Sequence, residues 1–154
     1  MLYKLATSTW DNKEIEAIHE VIESDMYSMG PKVANYEKEF ASYFGAKYAV
    51  MCSSGSTANL IMTAALFYTK TPRLKGGDEI IVPAVSWSTT YFPLQQYGLK
   101  LKFVDIDAET LNYNLSDLNE AITKQTKAVM AVNLLGNSND FDAIFEIIAE
   151  KDIV

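Results

Sequence analysis

Along the first third of the chain the apolar positions recur at helical spacing. Ile15, Ala17, Ile18, Val21 and Ile22 share one side of a helix expected over residues 11–24. Asp11 reads as its N-cap, and Glu14, three places on, completes a capping box. The stretch "DMYSMGPK" breaks the pattern at Gly30-Pro31. A second helix over 33–44 is expected to bury Val33, Tyr36, Phe40 and Phe44, with Gly45 as its stop.

From there, short apolar runs alternate with helical ones. Residues 48–52, 80–82, 101–104 and 128–132 are strand candidates, the second closed by Pro83. Helices are expected over 57–68, 86–97, 115–122 and 140–150. Pro93 must sit early in its helix or kink it, and Asn114 or Ser116 begins the short one. Strand–helix alternation with continuous apolar strands predicts a mostly parallel sheet with helices on both faces, an α/β fold. The final "DIV" reads as another strand beginning. On that ground the chain is expected to be the N-terminal part of a longer polypeptide.

Composition narrows the class of protein. Of 154 residues, 49% are hydrophobic and 21% charged, the balance of a soluble globular domain. A net charge of -7 disfavours non-specific nucleic-acid binding, which needs a basic face. No apolar window is long enough to span a bilayer, and the start lacks the build of a signal peptide, so the expected compartment is the cytoplasm. The one cysteine, Cys52, cannot pair within the chain and is expected to be a buried, inert thiol. His19, the one histidine, lies in a helical pattern, so no metal site is expected.

Candidate chemistry lies at the junctions between apolar runs. In "VMCSSGSTANLIM", Gly55 lets the backbone approach a ligand, and Ser56 and Thr57 add hydroxyls. The free N–H groups of a helix start favour an anion. The pattern is neither a Walker loop nor the dinucleotide fingerprint. Taken alone, such a turn is more often only a capped helix start. "VPAVSWSTTYFP" places Trp87 at the end of the next strand, as a ring platform or as core. "VNLLGNSNDFD" offers Asn133 and Asn137 around Gly136, as polar contacts or as turn formers. In an open α/β sheet all three fall at the carboxyl edge, where ligands bind.

These stretches, with the leading "STW…MYSMGPKVANYEKEFASYFG", resemble the DegT/DnrJ/StrS family of pyridoxal-phosphate sugar aminotransferases and dehydratases, from about Leu5 onward. The resemblance implies the aspartate-aminotransferase (type I) fold. It implies a 1–30 helical segment with a substrate-side loop, and 31–154 as the first part of a large domain continuing past Val154. It implies pyridoxal or pyridoxamine 5'-phosphate bound by Gly55, Ser56, Thr57, Trp87 and Asn133. Ser8, Thr9, Trp10, Met29 and Gly30 would line the sugar-nucleotide side.

"VPAVSWSTT", and Asn133 where ordinary aminotransferases of the family carry His, favour the dehydratase branch. That branch removes the C3 hydroxyl of a GDP-linked 4-keto-6-deoxy hexose on the way to 3,6-dideoxy sugars of O-antigens. L-glutamate would be the amino donor and a homodimer the working form. The deciding residue, Lys in aminotransferases or His in the dehydratase, and the carboxylate that holds the pyridine nitrogen are expected beyond Val154. No catalytic residue is therefore expected within this chain, and by itself it should not turn over. The competing readings are a sugar aminotransferase, a non-catalytic phosphate-binding α/β domain, and an inert fragment that dimerises through a sheet edge. Trp87 separates the non-catalytic domain from the two enzymes, since a ring buried under a helix would weaken the family reading of the site; the dimerising fragment is compatible with any of them.

Overall fold

The computed structural model describes residues 7–154. The start of the resemblance near Leu5 and the first six residues of the 1–30 segment lie outside the described residues. Two compact units divide between Met51 and Cys52.

The first unit carries α1 (Asn12–Glu23) and α2 (Pro31–Tyr43). As expected, α1 starts at Asp11, whose side chain accepts from the Lys13 N–H, while Glu14 closes the capping box. Pro31 at the first position of α2 loses nothing by lacking an N–H. Gly45, at φ 65°, follows its last turn in the left-handed conformation that favours glycine. The apolar faces of both helices are a correction: α1 buries no residue and α2 buries only Ala41. Tyr36, Phe40 and Phe44 stack along α2 yet remain exposed, and Val33 is only partly buried, because no described element covers that face.

The strand expected over 48–52 does not form. A strand exists through a neighbour's hydrogen bonds, and the Met51 N–H instead donates to Glu37 Oε1 at 2.8 Å. Cys52 accordingly lies in a loop and is half-buried, not sealed inside a strand.

The second unit begins with α3 (Gly55–Tyr68), then β1 (Glu79–Pro83), α4 (Ser88–Gln96), β2 (Lys100–Val104), α5 (Leu115–Ala121), β3 (Thr126–Val129) and α6 (Phe141–Ile148). The strands are parallel, in the order β2-β1-β3. Central β1 is buried on both sides, which its run of apolar residues requires. Ile80 and Val82 face one way, into a core with Leu74, Leu94, Leu99 and Ala128, against which Leu66, Phe67 and Tyr91 pack. Ile81 faces the other way, into a core with Val104, Tyr113, Leu118 and Ile144. Helices thus cover both faces, as the alternation predicts. Backbone bonds between Val154 and both Lys127 and Val129 continue the sheet beyond β3, as "DIV" predicts.

Tyr113 crosses the second core, and its hydroxyl donates to Met130 O at 2.9 Å. Burial, with a smaller contribution from Tyr91, pushes the phenol far above its ordinary value, so it stays a donor. The turn before it is held by Asp107, whose Oδ1 accepts from the Glu109 and Thr110 N–H groups and the Thr110 hydroxyl. Those bonds, led by the Thr110 N–H, hold the Asp107 carboxyl below its ordinary value. Its contribution is present above the ordinary carboxylate range and is lost as pH falls through the depressed value.

Among the described residues no helix is long and apolar enough to cross a membrane. Leu118 is fully buried between α5 and β1. Leu118→Ala should cost about 2–5 kcal/mol, read as a lower denaturant midpoint with an unchanged slope.

Candidate functional site

Three junctions of the second unit, the loop before α3 and the segments that follow β1 and β3, carry the candidate residues. At the first, Ser54 caps α3, and Gly55, Ser56 and Thr57 are its opening positions. The helix therefore starts two residues earlier than its apolar pattern predicts. Thr57 is committed to the cap: its N–H donates to Ser54 Oγ at 3.2 Å. Its hydroxyl donates to Ser54 O at 2.8 Å and accepts the Ser54 N–H at 2.9 Å. The Ala58 N–H returns to Ser54 O. The N–H groups of Gly55 and Ser56 remain, and a helix cannot use its own first donors. A Cβ added at Gly55 would meet nothing within 4 Å, so the approach to those donors is open.

At the second junction, Trp87 is the N-cap of α4 and is 74% exposed. It is not a core residue. Behind it, Pro93 lies well inside α4, not near its start. Proline lacks the N–H that would bond the carbonyl four residues back, that of Thr89. Asn59 supplies the missing donor from α3, its Nδ2 meeting Thr89 O at 3.2 Å. This bond joins the second turn of α3 to the first turn of α4, and so holds the starts of the two helices, with Gly55–Thr57 and Trp87, near one another. Ser86 and Thr90 share a 2.8 Å hydroxyl bond, and the Tyr91 hydroxyl donates to Pro83 O at 2.8 Å. Burial raises the Tyr91 phenol above its ordinary value, a Ser86 hydrogen bond opposing it.

At the third junction, Asn133 precedes a 3-10 turn, Leu134–Gly136, that the sequence pattern does not announce. Because β3 pairs with β1, Asn133 and Trp87 follow adjacent strand ends. Asn133 is exposed, and its Oδ1 accepts from both the backbone N–H and the Nδ2 of Asn139, each at 3.0 Å. Asn137 is an exposed turn residue. Sequence reasoning missed both Asn59 and Asn139. Pro93 alone could have pointed to Asn59, since a mid-helix proline always leaves a carbonyl to satisfy.

The remaining candidates belong to the first unit. Ser8, Thr9, Trp10 and Met29 are exposed, and Ser8 Oγ accepts from the Trp10 N–H at 3.4 Å. Gly30 lines a cavity of about 500 Å³ with Val21, Met26, Tyr27 and Val33. There any added Cβ would stand 2.2 Å from the Met26 sulfur.

Residues 8–154 match the model of the "DegT/DnrJ/EryC1/StrS aminotransferase family". Over 151 residues the chain is 66% identical to GDP-4-keto-6-deoxy-D-mannose 3-dehydratase of Yersinia pseudotuberculosis, covering 98% of this chain and 38% of that protein. Among solved structures, the Escherichia coli GDP-4-keto-6-deoxy-D-mannose-3-dehydratase with bound hydrated PLP superposes with a TM-score of 0.96 at 64% identity. A GDP-4-keto-6-deoxymannose-3-dehydratase structure with a trapped PLP-glutamate geminal diamine gives the same two values. Each covers 99% of this chain and 39% of the solved one. The chain thus spans about two-fifths of the length of these relatives.

Asn59→Ala leaves the Thr89 carbonyl without a donor in a partly buried place. It should cost about 1–3 kcal/mol in chemical denaturation, whereas the exposed Asn137→Ala should stay within about 0.5 kcal/mol.

Proposed function

The chain belongs to the DegT/DnrJ/EryC1/StrS aminotransferase family, and from that premise we propose that it forms the cofactor-binding part of a pyridoxal-phosphate-dependent sugar 3-dehydratase. The substrate class is a GDP-linked 4-keto-6-deoxy hexose. The observation that carries this reading is the pairing of open first-turn N–H groups on α3 with an exposed tryptophan on α4, tied by Asn59. The relatives' names add a GDP-sugar dehydratase, PLP and a PLP-glutamate geminal diamine, which agree with L-glutamate as the proposed amino donor.

The residues present fit such a group. A phosphate needs donors, an open approach and a positive helix end, and Gly55 and Ser56 at the start of α3 offer all three. Thr57 contributes by holding Ser54, and so the shape of the loop, through its hydroxyl. A flat aromatic ring needs an uncovered aromatic face, which Trp87 has. Asn133 keeps an uncommitted amide nitrogen at the rim.

Once bound, the cofactor in its pyridoxamine form would supply the amino group and the electron sink through which a C3 hydroxyl can leave. The tasks of this chain are to anchor the phosphate, to shield one face of the ring from water with Trp87, and to orient the rim through Asn133. Ser8, Thr9, Trp10, Met29 and Gly30, in the 1–30 segment, are assigned to the sugar-nucleotide side by the resemblance, and residues 31–154 to the large domain. The resemblance assigns the proton transfer to a histidine that is not among these 154 residues. A cytoplasmic homodimer is the proposed working form.

Trp87→Ala should weaken cofactor binding about fivefold, from the loss of about 1 kcal/mol of ring contact, and Trp87→Phe should restore most of it. The dehydratase reading is tested on the product of the intact gene by borohydride reduction of the cofactor-loaded protein and mass spectrometry of its peptides. Cofactor released with no lysine adduct supports the dehydratase. An adduct on a lysine would make the protein a sugar aminotransferase. If no cofactor binds, the first turn of α3 is only a capped helix start.

A further inference from the structure

Asn139 is 5% exposed although it lies in a loop rich in polar residues. Its Nδ2 donates to Val132 O at 2.9 Å and to Asn133 Oδ1 at 3.0 Å, and its own N–H donates to the same Oδ1 at 3.0 Å. A backbone N–H can only donate, so the atom of Asn133 that faces Asn139 must be the carbonyl oxygen. The Asn133 NH2 group is thereby left outside the loop's network, on an exposed residue. An exposed asparagine is normally free to exchange its oxygen and nitrogen by turning over. Here two donors on one oxygen select a single orientation.

The loop around this pair is held from a second side. Asn112, nine-tenths buried in the turn before α5, donates from Nδ2 to Ser138 O at 2.8 Å, immediately ahead of Asn139. Between Asn133 and Asn139, Leu135 and Gly136 both take positive φ, 54° and 86°. A leucine holds that conformation only where its surroundings over-determine the backbone.

We propose that Asn139 is a positioning residue, which locks the Asn133 side chain so that this rim position presents hydrogen-bond donors, and no acceptor, to the bound cofactor. The inference rests on the assignment of Asn133 to the cofactor site made above. It adds a selectivity: the position favours a ligand oxygen and disfavours a ligand N–H.

The test uses the intact gene product and two readouts besides turnover: the cofactor dissociation constant and the absorption maximum of the bound cofactor. Asn133→Ala should raise the dissociation constant by about fivefold, as expected for one net hydrogen bond, and Asn139→Ala, which keeps the backbone N–H on Asn133 Oδ1 but removes the second donor, by a smaller factor of about two. Both should shift the absorption maximum in the same direction. The double variant should be no worse than Asn133→Ala, because Asn139 acts through Asn133. If Asn139→Ala does not fold, Asn139→Leu keeps about the same shape, loses the amide donors without adding a charge, and should show the same shifts.

A lowered melting temperature with unchanged affinity and spectrum would reduce Asn139 to a loop brace and overturn the proposal. So would additive effects of the two substitutions. If Asn133→Ala changes nothing while Trp87→Ala weakens binding, this inference fails and the cofactor reading stands. If the wild-type protein binds no cofactor, both fail.

Discussion

A proline six residues into a helix leaves a carbonyl that nothing in that helix can satisfy, and the site grows from the way this one is met. Pro93 opens Thr89 O, and Asn59 closes it from the neighbouring helix. A hydrogen bond between two helix starts fixes their spacing more sharply than apolar packing does, because it tolerates only a few tenths of an ångström. The unused N–H groups of Gly55 and Ser56 and the bare face of Trp87 are thus held at one edge of the sheet. With any other residue at 93, Thr89 O would have a donor in its own helix, and Asn59 would be a second donor to that carbonyl and not the replacement for a missing one.

The sheet determines which edge this is. Parallel pairing of β1 with both β2 and β3 aligns the strand ends, so the residues after β1 and β3 emerge side by side. The two cores, one on each face of β1, keep that edge in register with the helices that follow it. Burial and polar geometry then act on different scales. Apolar packing sets where the helices lie, and a few hydrogen bonds set which atoms face outward.

Most of the fold is legible in the residue pattern. Short apolar runs mark β1 and β2, caps such as Asp11, Asn114 and Asp140 mark helix starts, and the alternation implies the parallel sheet. The failures have physical causes. The run at 48–52 has the composition of a strand but takes its hydrogen bonds elsewhere, and pairing is not a local property. The stripe of Tyr36, Phe40 and Phe44 predicts burial, yet periodicity says which residues share a face and never what covers it. At the site, Gly55, Ser56 and Trp87 could be named because small residues and an aromatic at strand ends are a recognisable pattern. The role of Asn139 could not, since a loop asparagine reads as a turn former until its partner across six residues is seen.

Leu135 stands against the grain of its neighbourhood on two counts. Its backbone is left-handed, which costs an ordinary residue roughly 1–2 kcal/mol, and its side chain is 86% exposed, gaining little from burial. A residue kept at such a disadvantage marks a trade between stability and function. Selection for heat resistance alone would replace it early, with glycine or asparagine. Such variants should hold the same turn at a lower conformational cost.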